Sequence, residues 1–104
     1  MKLFISALAC IFSLSVFSQT TFTGAISNDW AEAGNWDNGL PAPGNDATIP
    51  LEFTVLNDDG VLTIDFIIHN YGTIHNYGTI YNDGTIFNNG TINNNGTIYK
   101  DGTI

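Results

Sequence analysis

Hydrophobic and polar positions recur with a period of six residues in the last third of the chain. The triplet Gly-Thr-Ile repeats there, and isoleucine occupies every sixth position: Ile68, Ile74, Ile80, Ile86, Ile92, Ile98 and Ile104. A fixed short period indicates a stacked repeat array. Because six is even, equivalent positions of every hexad face the same way in an extended chain. We therefore expect Ile, Asn and Gly on the inner face, and Thr with the two variable residues on the outer face.

Each hexad also carries a turn signal. Asn-x-Gly triplets run from 70–72 to 94–96, and both Asn and Gly tolerate positive φ. Only about three residues around Thr-Ile-x then remain for each strand. Strands so short and so regularly spaced are typical of a β-solenoid, which coils once every few hexads. We expect residues 54–104 to form this solenoid.

The hexads resemble those of the hexapeptide-repeat proteins, which place an aliphatic residue at every sixth position and a small residue two positions before it. The resemblance covers residues 58–104. It implies an all-β fold, a left-handed parallel β-helix in which three hexads, about 18 residues, make one coil. The chain departs from the family after each isoleucine, where the family usually has a small residue. The residues found there are His69, His75, Tyr81, Phe87, Asn93 and Tyr99.

The N-terminus has the pattern of a secretory leader. Lys2 is followed by an apolar run from Leu3 to Phe17, which is too short for a membrane-spanning helix. We expect a signal peptide over residues 1–18, cleaved after Ser18, and a secreted or outer-surface location without a transmembrane segment. Cys10 leaves open a lipoprotein cleavage box as the alternative.

Charge and cysteine content narrow the class of partner. Beyond the leader the chain has no cysteine, and Lys100 is its one basic residue against ten acidic ones. Such a surface repels nucleic acids and anionic membranes. Neither a disulfide nor a thiol site is available. The composition suggests a bacterial envelope or secreted protein.

Residues 19–53 differ from the repeats and are expected to form an irregular N-terminal cap with at most two short strands. The order Trp30, Asn35-Trp36, Gly39-x-Pro41 and then Asp-Ala-x-Ile-Pro resembles the segment that precedes β-helical repeats in secreted adhesin-like proteins of Bacteroidetes-type bacteria. That resemblance implies an adhesive surface role and a C-terminal sorting domain. The two tryptophans are either a glycan-binding platform or the hydrophobic lid of the first coil.

The hexad phase extends upstream of the strict repeats. Leu56 and Leu62 occupy the isoleucine phase, Gly60 the glycine phase and Asp58 the asparagine phase. We expect degenerate early coils here, continuous with the cap, so that cap and solenoid form one domain.

Two sets of residues are candidate sites of chemistry. His69 and His75 lie one hexad apart, which places them on adjacent faces and not in one cluster. With 18 residues per coil, Asp65, Asp83 and Asp101 form one column at the strand spacing of about 4.8 Å. This column is either a calcium site or a solvated acidic stripe.

Outward columns provide the candidate binding residues. Thr73 lies above Thr91 in an 18-residue coil, and Tyr81 and Tyr99 share another column. Regular threonines are typical of ice-binding solenoids, whereas mixed threonine and aromatic faces suit glycan or protein contact. Inside, the asparagines are expected to form hydrogen-bonded ladders.

These patterns predict a structural or adhesive surface module without catalytic activity or a required cofactor. The alternative is a solenoid that presents its Thr and aromatic columns, with Trp30 and Trp36, to ice or glycan. Possible partners are a surface glycan, a protein, or a second copy of the chain bound at the open coil that ends at Ile104.

Overall fold

The computed structural model describes residues 17–104, which form ten short strands and one 3-10 turn at Ala33–Asn35. The strands are β1 (Ser18–Thr21), β2 (Asn45–Ile49), β3 (Thr54–Asn57), β4 (Val61–Ile64), β5 (Ile67–Asn70), β6 (Thr73–Asn76), β7 (Thr79–Asn82), β8 (Thr85–Asn88), β9 (Thr91–Asn94) and β10 (Thr97–Lys100). The predicted leader lies outside the described part of the chain, apart from its last two residues.

The strands stack into three parallel sheets. Face A contains β1-β2-β5-β8, face B contains β3-β6-β9 and face C contains β4-β7-β10, each in that spatial order. From β2 onward, consecutive strands therefore lie on successive faces, and every third strand returns to the same face one coil later. The predicted parallel β-solenoid is confirmed, with three coils: β2 to β4, β5 to β7 and β8 to β10.

The coil period is 18 residues in the strict repeats. Val61 pairs with Thr79, and Thr97 pairs with the same Thr79 from the other side. On the next face Ile67 pairs with Thr85. The same hexad position therefore returns to the same face after three hexads.

The first coil is longer, and here one prediction was wrong. Val55 pairs with Ile74, and Asn57 pairs with Asn76, so the offset on face B is 19 residues. Val55 is fully buried, whereas Leu56, which the hexad phase had placed inward, pairs with the outward His75. The cause is that the corner between Asn57 and Gly60 has one residue more than the corresponding corner of the next coil. The extra residue shifts the register of β3 by one, so that positions expected to point inward point outward and the reverse. Asp58 is accordingly an exposed corner residue and not part of the asparagine column.

The core is a narrow column of aliphatic side chains from all three faces. Ile74, Ile80 and Ile86 are buried, as is Ala47 above Ile68 on face A. Thr and the residue after each Ile point outward. Alternation with period two thus places β-branched side chains where they pack against the coils above and below.

Asparagine ladders hold two of the three corners. The Asn57 amide donates to Asn76 Oδ1 at 2.8 Å, and the Asn76 amide donates to Asn94 Oδ1 at 2.8 Å. A second ladder joins Asn70 to Asn88 at 2.8 Å. Every buried side-chain polar atom in the described chain has a hydrogen-bond partner. The predicted ladders are confirmed at these positions.

The third corner has no ladder, because its column changes residue type. Asn82 lies between Ile64 and Lys100. Its side-chain amide donates to the Thr103 carbonyl at 3.0 Å, which is the bond that Asn70 and Asn76 make in addition to their ladders. A buried Asn is thus satisfied by backbone where no side-chain amide is available.

The N-terminal segment closes the first coil on two faces. On face A, β1 pairs with β2, and on face B the segment 28–30 lies along β3, with Leu56 N–H donating to the Asn28 carbonyl at 2.8 Å. Ser18 is already part of β1, since its N–H donates to the Gly44 carbonyl at 2.8 Å. Cleavage after Ser18 would remove that bond and leave the rest of the strand.

Candidate functional site

The outer surface of the solenoid carries regular columns of side chains, and these are the candidate site. Each strand presents a Thr-type position and the residue after each Ile. On face C the second of these columns is Thr63, Tyr81 and Tyr99, and on face A it is Thr48, His69 and Phe87. On face B it is Leu56, His75 and Asn93. The parallel pairing sets the spacing along every column to roughly 4.8 Å.

Tyr81 and Tyr99 form a stacked pair on face C. Their ring centroids lie 4.9 Å apart with the rings inclined by 10°. Both side chains are exposed. Because the ring faces pack along the solenoid axis, each shared face is occupied by the neighbouring tyrosine. The pair therefore presents ring edges and hydroxyl groups to solvent, which suits polar and edge-on contacts.

The histidines lie on different faces, as predicted. His69 on face A stacks on Phe87, with centroids 5.2 Å apart. His75 on face B stacks on Tyr77 at 4.3 Å, and its Nε2 lies 3.0 Å from Asn95 Oδ1. Each imidazole is thus engaged with its own neighbours. The arrangement gives no nucleophile, base and orienting group in one place.

Threonine columns run along the solenoid in the predicted register. Thr73 pairs with Thr91 on face B, and Thr79 pairs with Thr97 on face C. The bridge between Thr85 and Thr103 continues the column on face A. The hydroxyl-bearing positions are therefore regular along each face, but a larger side chain such as Tyr81 stands beside most of them.

Trp30 and Trp36 do not form an exposed platform. They are 5% and 4% exposed, respectively. Their rings pack edge to face at 4.8 Å, and Trp36 Nε1 donates to the Trp30 carbonyl at 2.9 Å. The burial contradicts the glycan-platform hypothesis and matches the lid hypothesis. The physical reason is that the first coil leaves an apolar end, which these indoles cover together with Phe22 and Phe66.

Asp65, Asp83 and Asp101 lie in one column at the corner between face C and face A. The backbone places them there, because Asp83 N–H donates to the Ile64 carbonyl and Asp101 N–H to the Asn82 carbonyl. All three side chains are exposed. Within residues 17–104, however, no three acidic, histidine or cysteine side chains converge as metal ligands. The exposure of all three side chains is compatible with a solvated stripe, and calcium binding at this column stays a prediction.

The surface of the described residues has no pocket. Across the same part of the chain, no helix is both long and apolar enough to cross a bilayer. Residues 17–104 expose regular outer faces and strand edges. No protein-family model, no curated protein and no solved structure matches the chain.

Sequence reasoning missed some of the surface contacts. It singled out Tyr81 and Tyr99, but not the equivalent stack of His69 on Phe87. The signal was present, because these two residues are also 18 positions apart. The contact between His75 and Asn95 joins an outward strand position to a corner of the next coil, and the hexad pattern alone does not indicate which way such a side chain turns.

Proposed function

We propose that this chain is a secreted or cell-surface structural and adhesive repeat module, and not an enzyme. The observation that carries the proposal is the ordered array of outward Thr and aromatic columns on a core whose buried side-chain polar atoms are all paired within residues 17–104. A rigid array of this kind repeats one contact many times, which favours avidity over a single deep site.

Location and adhesion are tested separately. We expect the natural protein in the medium or at the cell surface with residues 1–18 removed, as shown by N-terminal sequencing of fractionated cells. A cytoplasmic protein that retains the leader would overturn the proposed location.

Adhesion is tested with beads that carry the purified protein, applied to surfaces coated with glycans or matrix proteins. The triple variant Tyr81→Ser, Phe87→Ser and Tyr99→Ser removes exposed rings without touching the core. We expect it to lower bead retention by roughly tenfold, since adhesion depends on many weak contacts. The control is Asn89→Ser and Asn95→Ser, which changes exposed corners. Equal retention for both variants would contradict the aromatic columns as the adhesive surface.

Ice or glycan binding is the second candidate function, and the regular threonine columns favour it. Thr73 over Thr91 and Thr79 over Thr97 repeat one hydroxyl position per coil. Thermal hysteresis or ice shaping by the purified protein, lost on Thr79→Lys, would support ice binding. If the purified protein has no effect on ice growth, ice binding is excluded, and the threonine columns would then serve as contact surfaces in adhesion.

Self-association is part of the proposal as well. Within residues 17–104, β9 and β10 each pair with a strand on one side only. Such edges accept further strands, including those of a second copy. Sedimentation at increasing concentration tests this, and a constant monomer mass would exclude it.

A further inference from the structure

The first coil leaves one strand edge open on face C. On face A the outer edge of β1 is occupied, because Asp37 Oδ1 accepts from Thr21 N–H at 2.8 Å and Asp37 N–H donates back to the Thr21 carbonyl at 3.0 Å. On face B the outer edge of β3 is occupied by the segment 28–30. On face C, β4 is the edge of its sheet, and no other described strand lies beyond it.

The groups on this edge belong to Val61 and Thr63. The carbonyls of Gly60 and Ile64 accept from β7 and its corner, at 3.0 Å from Thr79 N–H and 2.8 Å from Asp83 N–H. Residues of a parallel strand alternate in the direction of their N–H and C=O groups. Val61 and Thr63 therefore direct theirs away from β7. No described residue bonds to them across that edge.

Side-chain burial agrees with an uncovered edge. The inward residues of the first coil on the two closed faces, Ala47 and Val55, are both 0% exposed. Their equivalent on face C, Leu62, is only half-buried. Val61 is 69% exposed. An extended segment laid along β4 would cover Leu62 and complete the sheet.

The charge around the outer edge of β4 indicates which kind of segment can bind there. Asp58 and Asp59 precede β4, and Asp65 follows it, all exposed. The chain as a whole carries a formal net charge of -8. Acidic flanks on an edge oppose a second copy of an acidic chain and favour a cationic one.

We propose that the outer edge of β4 binds an extended peptide segment of a partner protein by strand addition, and that this segment alternates β-branched residues and carries Lys or Arg at its ends. Main-chain hydrogen bonds to Val61 and Thr63 supply affinity, a β-branched side chain covers Leu62, and the three aspartates supply charge selectivity. This site goes beyond the surface role proposed above, since it rests on the edge of one strand and not on the outward columns.

The test uses a fluorescent peptide of alternating Thr and Ile with lysines at both ends, and binding to the purified protein is measured by anisotropy. Thr63→Pro removes the N–H that faces the open edge and keeps the bonds to β7, a substitution that edge strands tolerate. We expect roughly tenfold weaker binding for this variant. Thr63→Ala is the matched control, because it shortens the same side chain and keeps the N–H, and it should bind the peptide roughly tenfold more tightly than Thr63→Pro.

Charge is tested with the same peptide core flanked by glutamates, and with Asp58→Asn, Asp59→Asn and Asp65→Asn combined. Both changes should weaken binding by about tenfold at low salt. Hydrogen exchange provides a readout that does not depend on variants: the Val61 and Thr63 amides should exchange fast alone and slowly with the peptide.

Three outcomes would overturn the site. They are equal peptide binding by Thr63→Pro and Thr63→Ala, equal binding of lysine- and glutamate-flanked peptides, and unchanged exchange at Val61 and Thr63. Concentration-dependent protection of these two amides without peptide would assign the edge to a second copy instead. Absence of bead adhesion by the unsubstituted protein, with peptide binding intact, would reject the proposed function and leave this inference standing.

Discussion

At the residue scale, close packing against the preceding coil explains why the corner positions are glycine. A Cβ at Gly78 would meet the Gly60 carbonyl oxygen and lie 2.9 Å from the Gly60 nitrogen. Both contacts are backbone atoms, which cannot rotate away. From Ile74 onward, the glycine two residues before each Ile is therefore required by the close approach of successive coils and not by a positive φ.

Gly78→Ala should lower the free energy of unfolding by about 1–3 kcal/mol, since the added methyl group forces the corner apart. Gly60→Ala is a control in the same column. Nothing lies closer to its Cβ than Asn57 Oδ1 at 3.8 Å. We expect Gly60→Ala to be neutral or slightly stabilising. Urea unfolding of the two variants measures the difference, and equal stabilities would contradict the close-packing argument.

The buried asparagines make a second residue-scale prediction. Asn76 is fully buried, and its side chain links Asn57 above to Asn94 below. Its Oδ1 also accepts from Gly78 N–H at 3.2 Å. Asn76→Ala should cost about 2–4 kcal/mol, because it leaves several polar groups without a partner.

Asn93→Ala is the control for that substitution, since Asn93 directly precedes Asn94 of the ladder in the chain and its own side chain is exposed. It should change stability by less than about 0.5 kcal/mol. Thermal unfolding followed by circular dichroism compares the two. A small loss of stability for Asn76→Ala would contradict this prediction, because it would mean that water satisfies the freed polar groups without a cost in free energy.

At the element scale, each outward column couples strands of adjacent coils. Tyr81 in β7 and Tyr99 in β10 are stacked. A double-mutant cycle with Tyr81→Ala and Tyr99→Ala should give a coupling energy of about 0.5–1.5 kcal/mol. The same cycle on Tyr81 and Phe87, which lie on different faces, should give about zero. Coupling of equal size in both cycles would contradict direct stacking.

The strands and corners also show how much of the fold could be predicted from the sequence. Period six with Ile, Asn and Gly fixed was enough to place every strand from β5 to β10, because each hexad repeats one geometry. The corners of the first coil could not be placed that way, since a corner faces solvent and can bulge by a residue without cost to the core. The position of Asn57 indicated the extra corner residue in the sequence. Asn57 pairs with Asn76 in the ladder, although it stands one residue before the position that the 18-residue period assigns to that column.

The cap illustrates a second limit of the sequence. Trp30 and Trp36 left two interpretations open, because an indole suits either a sugar platform or an apolar lid. They are six residues apart but lie outside the isoleucine phase, and their burial depends on how an irregular segment folds back over the first coil. Asn35 organises that fold: its Oδ1 accepts from Ile26 N–H at 2.8 Å and Ser27 N–H at 2.7 Å. Such side-chain contacts have no spacing rule.

At the scale of the whole molecule, stability depends on closing the apolar end of the stack. In a solenoid each coil is stabilised chiefly by its neighbours, so the first coil needs a cover. Trp30 lies at the centre of that cover, between Trp36 and Phe66. Trp30→Ala should lower the free energy of unfolding by about 3–5 kcal/mol through the cavity it leaves.

Intrinsic fluorescence measures both the state of the cap and the effect of this substitution. The buried indoles should emit at short wavelength and resist quenching by acrylamide in the native protein, and both properties should change together with the circular dichroism signal on unfolding. Trp30→Phe is the control, because it retains an aromatic ring in the cover and should lose less stability than Trp30→Ala. A Trp30→Ala protein as stable as the unsubstituted one would mean that the coils hold together without the cover, and the stack would then depend on its ladders and isoleucine columns alone.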